Sequence, residues 1–179
     1  MKKILSILLI VFVLVGCNMT NTPTKKVEEF LMSYQTLSDD VVSDLELSSE
    51  MENLSSTNKI TYMDVMQRNY KNLKYEITNE DVNGDEAVVT AKITVYDLYK
   101  VMKESNDYLT NNSTEFEIDG VYDQDKYREY ELGEMLKTNY TVDYTIYFNL
   151  SKVDDEWILT EPDNTTKEKI HGIYNYELE

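Results

Sequence analysis

The sequence predicts an α+β domain in which a curved antiparallel sheet of about four strands is packed by helices. Two stretches, Ala87 to Val95 and Tyr140 to Leu150, alternate apolar and polar residues with the period of strands that bury one face. Each is joined to a shorter alternating stretch by a turn pair, Asn83-Gly84 or Asp154-Asp155, which marks two hairpins. Elsewhere apolar residues recur every three or four positions, the period of amphipathic helices. The predicted order is three helices, hairpin, two helices, hairpin and C-terminal helix.

Val27, Phe30, Leu31 and Tyr34 share one face of a first helix over residues 25 to about 36, with Thr24 as its N-cap. Ser38 or Asp39 caps a second helix that carries Val41, Val42 and Leu45 and runs to about Met51. After a Ser-rich break, a third helix presents Ile60, Met63, Met66 and Tyr70 and ends near Leu73. Tyr75 and Ile77 point inward from the first strand, and Asn83-Gly84 turns it because both residues accept positive φ. The returning strand buries Ala87, Val89, Ala91, Ile93 and Val95.

Residues 97 to 111 place Leu98, Val101, Met102, Ser105 and Leu109 on one helical face. A loop around Asp119-Gly120 leads to a helix over 124 to 137, capped by Asp123. Its irregular apolar face, with Tyr127, Tyr130, Met135 and Leu136, suits a sheet edge or a pocket mouth. The central strand points Tyr140, Val142, Tyr144, Ile146, Phe148 and Leu150 inward, and Trp157 and Leu159 return before Pro162. A last helix from Asp163 to about Tyr174 buries Ile170, Ile173 and Tyr174. With no repeat and no second core, residues 25–179 read as a single domain.

Composition narrows the function classes. Among 179 residues, 17 Lys and Arg stand against 34 Asp and Glu, a net charge of -17, which excludes nucleic acid as a partner because phosphate neutralisation needs clustered cations. One Cys and one His exclude a disulfide framework and the Cys/His zinc sites. No metal site and no cofactor is expected. Only two arginines, Arg68 and Arg128, amid many Lys, Asn, Ile and Tyr point to an AT-rich genome.

The amino terminus carries the clearest motif. Met1-Lys2-Lys3 is followed by an apolar run from Ile4 to Val15, long enough for a signal-peptide core and short of the roughly 20 residues of a membrane span. Leu14-Val15-Gly16-Cys17 resembles the lipobox of bacterial lipoproteins. The resemblance implies cleavage between Gly16 and Cys17, a diacylglyceryl thioether on Cys17, and a place on the extracellular face of the cell membrane. Each buried CH₂ of palmitate-type chains contributes about 0.8 kcal/mol, so two or more chains hold a protein firmly. Residues 1–16 are then the signal peptide and 17–24 a lipidated tether reaching at most about 25 Å. Loss of Lys2 and Lys3 leaves 15 basic against 34 acidic residues, a mature charge of -19.

The hairpin Ser151-Lys152-Val153-Asp154-Asp155-Glu156-Trp157-Ile158, with the helix-first order, resembles the nuclear-transport-factor-2-like or cystatin-like superfamily. Small bacterial members close this hairpin with Lys-x-Asp-Gly-x-Trp; here Asp155 stands in place of the Gly. From residue 25 to about 175 the chain also looks like an uncharacterised group of lipoproteins from low-GC Gram-positive bacteria, which has no established activity to transfer. Isomerases and cyclases of the superfamily use an Asp base with a Tyr or Asp donor inside a cone. The resemblance points to Asp143 and Asp97 with Tyr144 or Tyr96, although Asp143 lies opposite the apolar stripe of its strand.

Among fifteen tyrosines, Tyr96, Tyr99, Tyr127, Tyr130, Tyr144 and Tyr147 are the candidates to line a pocket that stacks on a sugar or encloses an apolar ligand. Asp119, Asp123 and Asp125 offer the hard oxygens that Ca²⁺ takes, without the EF-hand spacing. His171, beside Gly172, suits a helix C-terminus where the dipole favours its charged form. The expected function is a non-enzymatic, membrane-anchored module that binds an envelope protein or a small ligand. A small cone-fold enzyme and an acidic divalent-cation binder are the alternatives.

Overall fold

The structure, a computed structural model, describes residues 21–178. The expected signal peptide, the expected cleavage between Gly16 and Cys17 and the expected lipidation of Cys17 lie outside the described residues. Helix α1 (Pro23–Thr36) starts two residues earlier than expected. Thr22, rather than Thr24, is its N-cap, accepting the Lys25 N–H at 3.1 Å, and Pro23 occupies a first-turn position where its missing N–H costs nothing. Just before it, Asn21 donates from Nδ2 to the Asp155 carbonyl at 2.8 Å and accepts the Trp157 N–H at 3.0 Å. The first described residue is therefore tied to the last hairpin.

Helices α2 (Asp39–Met51) and α3 (Ser56–Asn72) follow. The inner face of α3 is Val65, Met66, Asn69 and Tyr70, whereas Ile60, expected inside, is 66% exposed. The stripe is displaced because Asn69 takes a core position. Its Nδ2 donates to the Ile170 carbonyl at 3.1 Å and its Oδ1 accepts the Tyr96 N–H at 3.0 Å. A buried amide with both ends bonded replaces an apolar side chain at little cost, and counting apolar residues cannot detect it.

Strands β1 (Lys74–Asn83) and β2 (Glu86–Tyr96) form the first hairpin. Its two turn residues are Gly84 and Asp85, one position later than expected, and only Gly84 takes positive φ, at 64°. A bulge between Ile77 and Asn79 shifts the register of β1. Helix α4 (Leu98–Asn111) leads to a one-turn helix at 113–116 and to a tiny ladder of β3 (Glu117–Ile118) and β4 (Val121–Tyr122), where a plain loop was expected. Helix α5 (Gln124–Lys137) is capped by Asp123, whose Oδ1 accepts the Lys126 N–H at 2.8 Å.

Strands β5 (Thr141–Val153) and β6 (Glu156–Leu159) complete an antiparallel sheet in the order β1-β2-β5-β6, so β2 and β5 share the centre. Asp154 and Asp155 both adopt positive φ, 49° and 65°, which is the two-residue turn that matches strand twist. Asp155 thus takes the left-handed conformation a glycine would have taken. Tyr140, expected to point inward, precedes β5 and is 49% exposed, with the Lys100 ammonium 3.6 Å from its ring centre. Helix α6 (Asn164–His171) ends earlier than expected because Gly172 turns left-handed at φ 75°. A Cβ there would sit 2.2 Å from the Tyr96 carbonyl oxygen, so Gly172 is required twice over.

The interior divides in two, where the sequence suggested one core. Ala87, Val89, Ile93, Ile146 and Phe148 pack under the sheet with Val27 and Leu31 of α1 and Ile170 of α6. Val41, Leu45, Val65, Leu98 and Leu132 form a second cluster among α2 to α5, and Tyr34 packs against both. Helices that cannot all reach one small sheet bury their stripes on each other. The opposite face of the sheet, with Lys92, Asp143, Tyr147 and Ile158, is exposed.

Candidate functional site

Where the two clusters meet, α1, α2, α3 and α6 leave a cavity of about 340 Å³. Helix α3 contributes Tyr62 and Tyr70, eight residues apart and therefore on one face. Helix α1 contributes Tyr34, whose ring meets that of Tyr70 edge-on with centres 5.0 Å apart. Helix α6 contributes Lys167 and His171, one turn apart, and the imidazole lies 5.7 Å from the Tyr70 ring centre. Asp44 of α2 and Glu161, which accepts from Lys167 at 2.7 Å, complete the polar wall.

Burial controls the protonation of these groups. It pushes the Tyr34 phenol up to about 12, with Asp44 adding to the effect, and raises Tyr70 further. Tyr62 is also raised by burial, then by Glu52. The His171 imidazole is lowered to about 4, first by burial and then by Lys167. The dipole of α6 would favour a charged imidazole at its C-terminus, so the sequence expectation is reversed: desolvation outweighs the dipole and His171 is neutral. Groups shifted together around a cavity mark a site candidate. Here the phenols and the imidazole are held uncharged, as hydrogen-bond donors and acceptors, beside Asp44 and the ion pair of Glu161 with Lys167. The i, i+8 spacing of Tyr62 and Tyr70 was the sequence signal for this wall, hidden because it reads equally as core.

A second concavity, an open groove of about 750 Å³, runs between α4 and α5. Tyr108 and Tyr130 stack along it with centres 4.9 Å apart and planes at 22°, beside Glu104, Glu134 and Tyr140. Of the six tyrosines singled out from the sequence, Tyr130 lines this groove, and the six do not converge on one cavity. Tyr96 lies under the Arg68 guanidinium at 3.9 Å, and Tyr99 meets Tyr176 edge-on. Tyr127 donates to Glu131 at 3.3 Å and packs on Phe116. Tyr144 is buried against Tyr174, while Tyr147 is 66% exposed on the opposite face. Residues 144 and 147 of one strand must point apart, since side chains alternate.

Asp143 and Asp97, the carboxylates read as catalytic candidates, have structural partners. Asp143 accepts from Lys92 at 2.8 Å and from Thr94 at 2.6 Å, and the hydrogen bond to Lys92 holds its carboxyl below the usual range. Asp97 caps α4 through the Lys100 N–H at 3.0 Å and accepts from the Tyr176 hydroxyl at 3.1 Å. Asp119 turns left-handed, at φ 53°, between β3 and β4. Among the described residues no three His, Cys, Asp or Glu side chains come together as metal ligands would. Among them, too, no helix is long and apolar enough to cross a membrane.

No protein-family model matches this chain, and no curated protein matches it. A solved structure with a related arrangement is that of ycdA from Bacillus subtilis, provisionally named a lipoprotein, at 18% identity and a TM-score of 0.44. The likeness covers 76% of this chain and 47% of that one, so this chain spans about half the length of ycdA.

Proposed function

We propose that the protein is a lipid-anchored, extracytoplasmic binding module of a low-GC Gram-positive bacterium, whose cavity among α1, α2, α3 and α6 takes a small, neutral, hydrogen-bonding ligand. One observation carries the ligand reading: three protonated phenols and a neutral imidazole wall a space of about 340 Å³. That size is at the lower end of small-molecule sites, and uncharged donors and acceptors suit hydroxyl groups better than ions. Anchoring rests on Leu14-Val15-Gly16-Cys17. On this reading Asn21, tied to the last hairpin, leaves four peptide steps from the lipid, about 14 Å at full extension. The order of the sheet, with helices on one face, supports kinship with the nuclear-transport-factor-2-like or cystatin-like superfamily.

The test has two arms. In bacterial membranes the parent protein is expected in the detergent phase and Cys17→Ala in the aqueous phase; equal partition of the two ends the anchor reading. A thermal-shift panel of monosaccharides and polyols is expected to yield a ligand that raises the Tm of the parent and loses its effect in Tyr62→Phe. A ligand that shifts both proteins equally would place binding elsewhere.

A further inference from the structure

A smaller cavity, which shares Tyr62 with the one just assigned, lies inside the helical cluster. It measures about 160 Å³, and its walls include Val65, Met66, Leu98, Met102, Leu132 and Met135. Close-packed interiors rarely leave voids larger than a water molecule. An apolar cavity of about 150 Å³ stays dry and accepts benzene, so this one has room for an aromatic ring or a short alkyl chain. Three methionines in its wall are flexible and polarizable, which suits an apolar guest.

At one end the cavity shares Glu52, Leu54 and Arg128 with a polar cleft of about 400 Å³ that is also lined by Asp123 and Asp125. Arg128 is already engaged, bonded to the buried Glu131 and 3.7 Å from Glu52. Three carboxylates, Glu52, Asp123 and Asp125, thus line the cleft at that end, Asp123 also capping α5, against one guanidinium that Glu131 neutralises. The rim is negative, on a domain that is itself strongly acidic. We infer that this cavity binds the apolar end of a small cationic amphiphile, with its ammonium group at the Glu52–Asp123–Asp125 rim. An anionic head on the same tail meets repulsion at that opening, and a neutral one gains nothing there.

Protein carrying [methyl-¹³C]methionine is titrated with benzylammonium, benzyl alcohol and benzoate, three probes with one ring and different charge. The ring current is expected to shift the Met66, Met102 and Met135 methyls and to leave that of Met32, exposed on α1, in place. Benzylammonium is expected to bind about threefold or more tighter than benzoate at low salt, the scale of an exposed charge pair, and Glu52→Gln is expected to narrow that difference. Met102→Trp, which fills the cavity from a half-buried position, is expected to weaken all three probes. Val65→Ile reads the same loss with a smaller change if the first variant does not fold. The inference is overturned if the three methyls respond to none of the probes, if benzoate binds as tightly as benzylammonium, or if folded variants with a filled cavity bind unchanged.

Discussion

The neutral His171 makes the protein measurably acid-sensitive in a window where little else titrates. Its imidazole is lowered from 6.5 to about 4 by burial and by Lys167, so the folded state resists a proton that the unfolded chain accepts. Stability from this group is present above the unfolded value and is lost as pH falls through 6.5 toward about 4, because the unfolded state then binds more protons. The full difference corresponds to about 3 kcal/mol, of which about 2 kcal/mol is already lost at about pH 5. The chain has one His, so no second imidazole confuses the reading. Asp143, Glu161 and Asp163, all held low by their partners, lose their contribution only as pH falls further, below the usual carboxylate range. Urea unfolding followed by circular dichroism at pH values from about 7.5 to about 5 is expected to show the parent losing about 2 kcal/mol more than His171→Gln. Parallel pH profiles for the two proteins would refute the argument, because the imidazole would then titrate alike in both states.

Four further substitutions test the turns and the packing of the fold. Gly172→Ala combines a left-handed φ of 75° with a Cβ placed 2.2 Å from the Tyr96 carbonyl oxygen, and should cost about 2–4 kcal/mol by denaturant unfolding. Gly84→Ala, strained by φ alone with nothing within 4 Å, should cost about 1 kcal/mol in the same assay. Asn69→Ala leaves the Tyr96 N–H and the Ile170 carbonyl without their side-chain partner in the interior, and a loss of about 2–4 kcal/mol is expected. Asp155→Gly removes the strain of φ 65° and keeps the backbone bond from Asn21, so a gain of about 0.5–1 kcal/mol is expected despite loss of the exposed pair with Lys152.

The cap residues show how far local signals reach. Asp123 and Asp163 cap the helices they were expected to cap or begin, since an N-cap needs only a side-chain oxygen three residues before a free N–H. Thr24 lost that role to Thr22 because Pro23 extends the first turn backward. The hairpin turns differ in the same way: Asp154-Asp155 was correctly placed, while the first turn moved by one residue to put glycine at the single position that needs positive φ.

By itself the sequence determined the α+β class, the order of the main elements and the inward faces of β2 and β5. Each of these follows from a periodicity or turn preference confined to neighbouring residues. The resemblance of Leu14-Val15-Gly16-Cys17 to a lipobox is equally local, a matter of four neighbouring residues. Only the tertiary structure decided that Asn69 would be buried, that six candidate tyrosines would scatter, and that Tyr34, Tyr62 and His171 would line one cavity. A cavity is the space left between elements distant in the chain, and a pKa is set by what surrounds a group, so neither has a signature in the residues that flank it. His171 shows the difference: as the last residue of a helix it should be charged, and as a group folded against Tyr70 it is neutral.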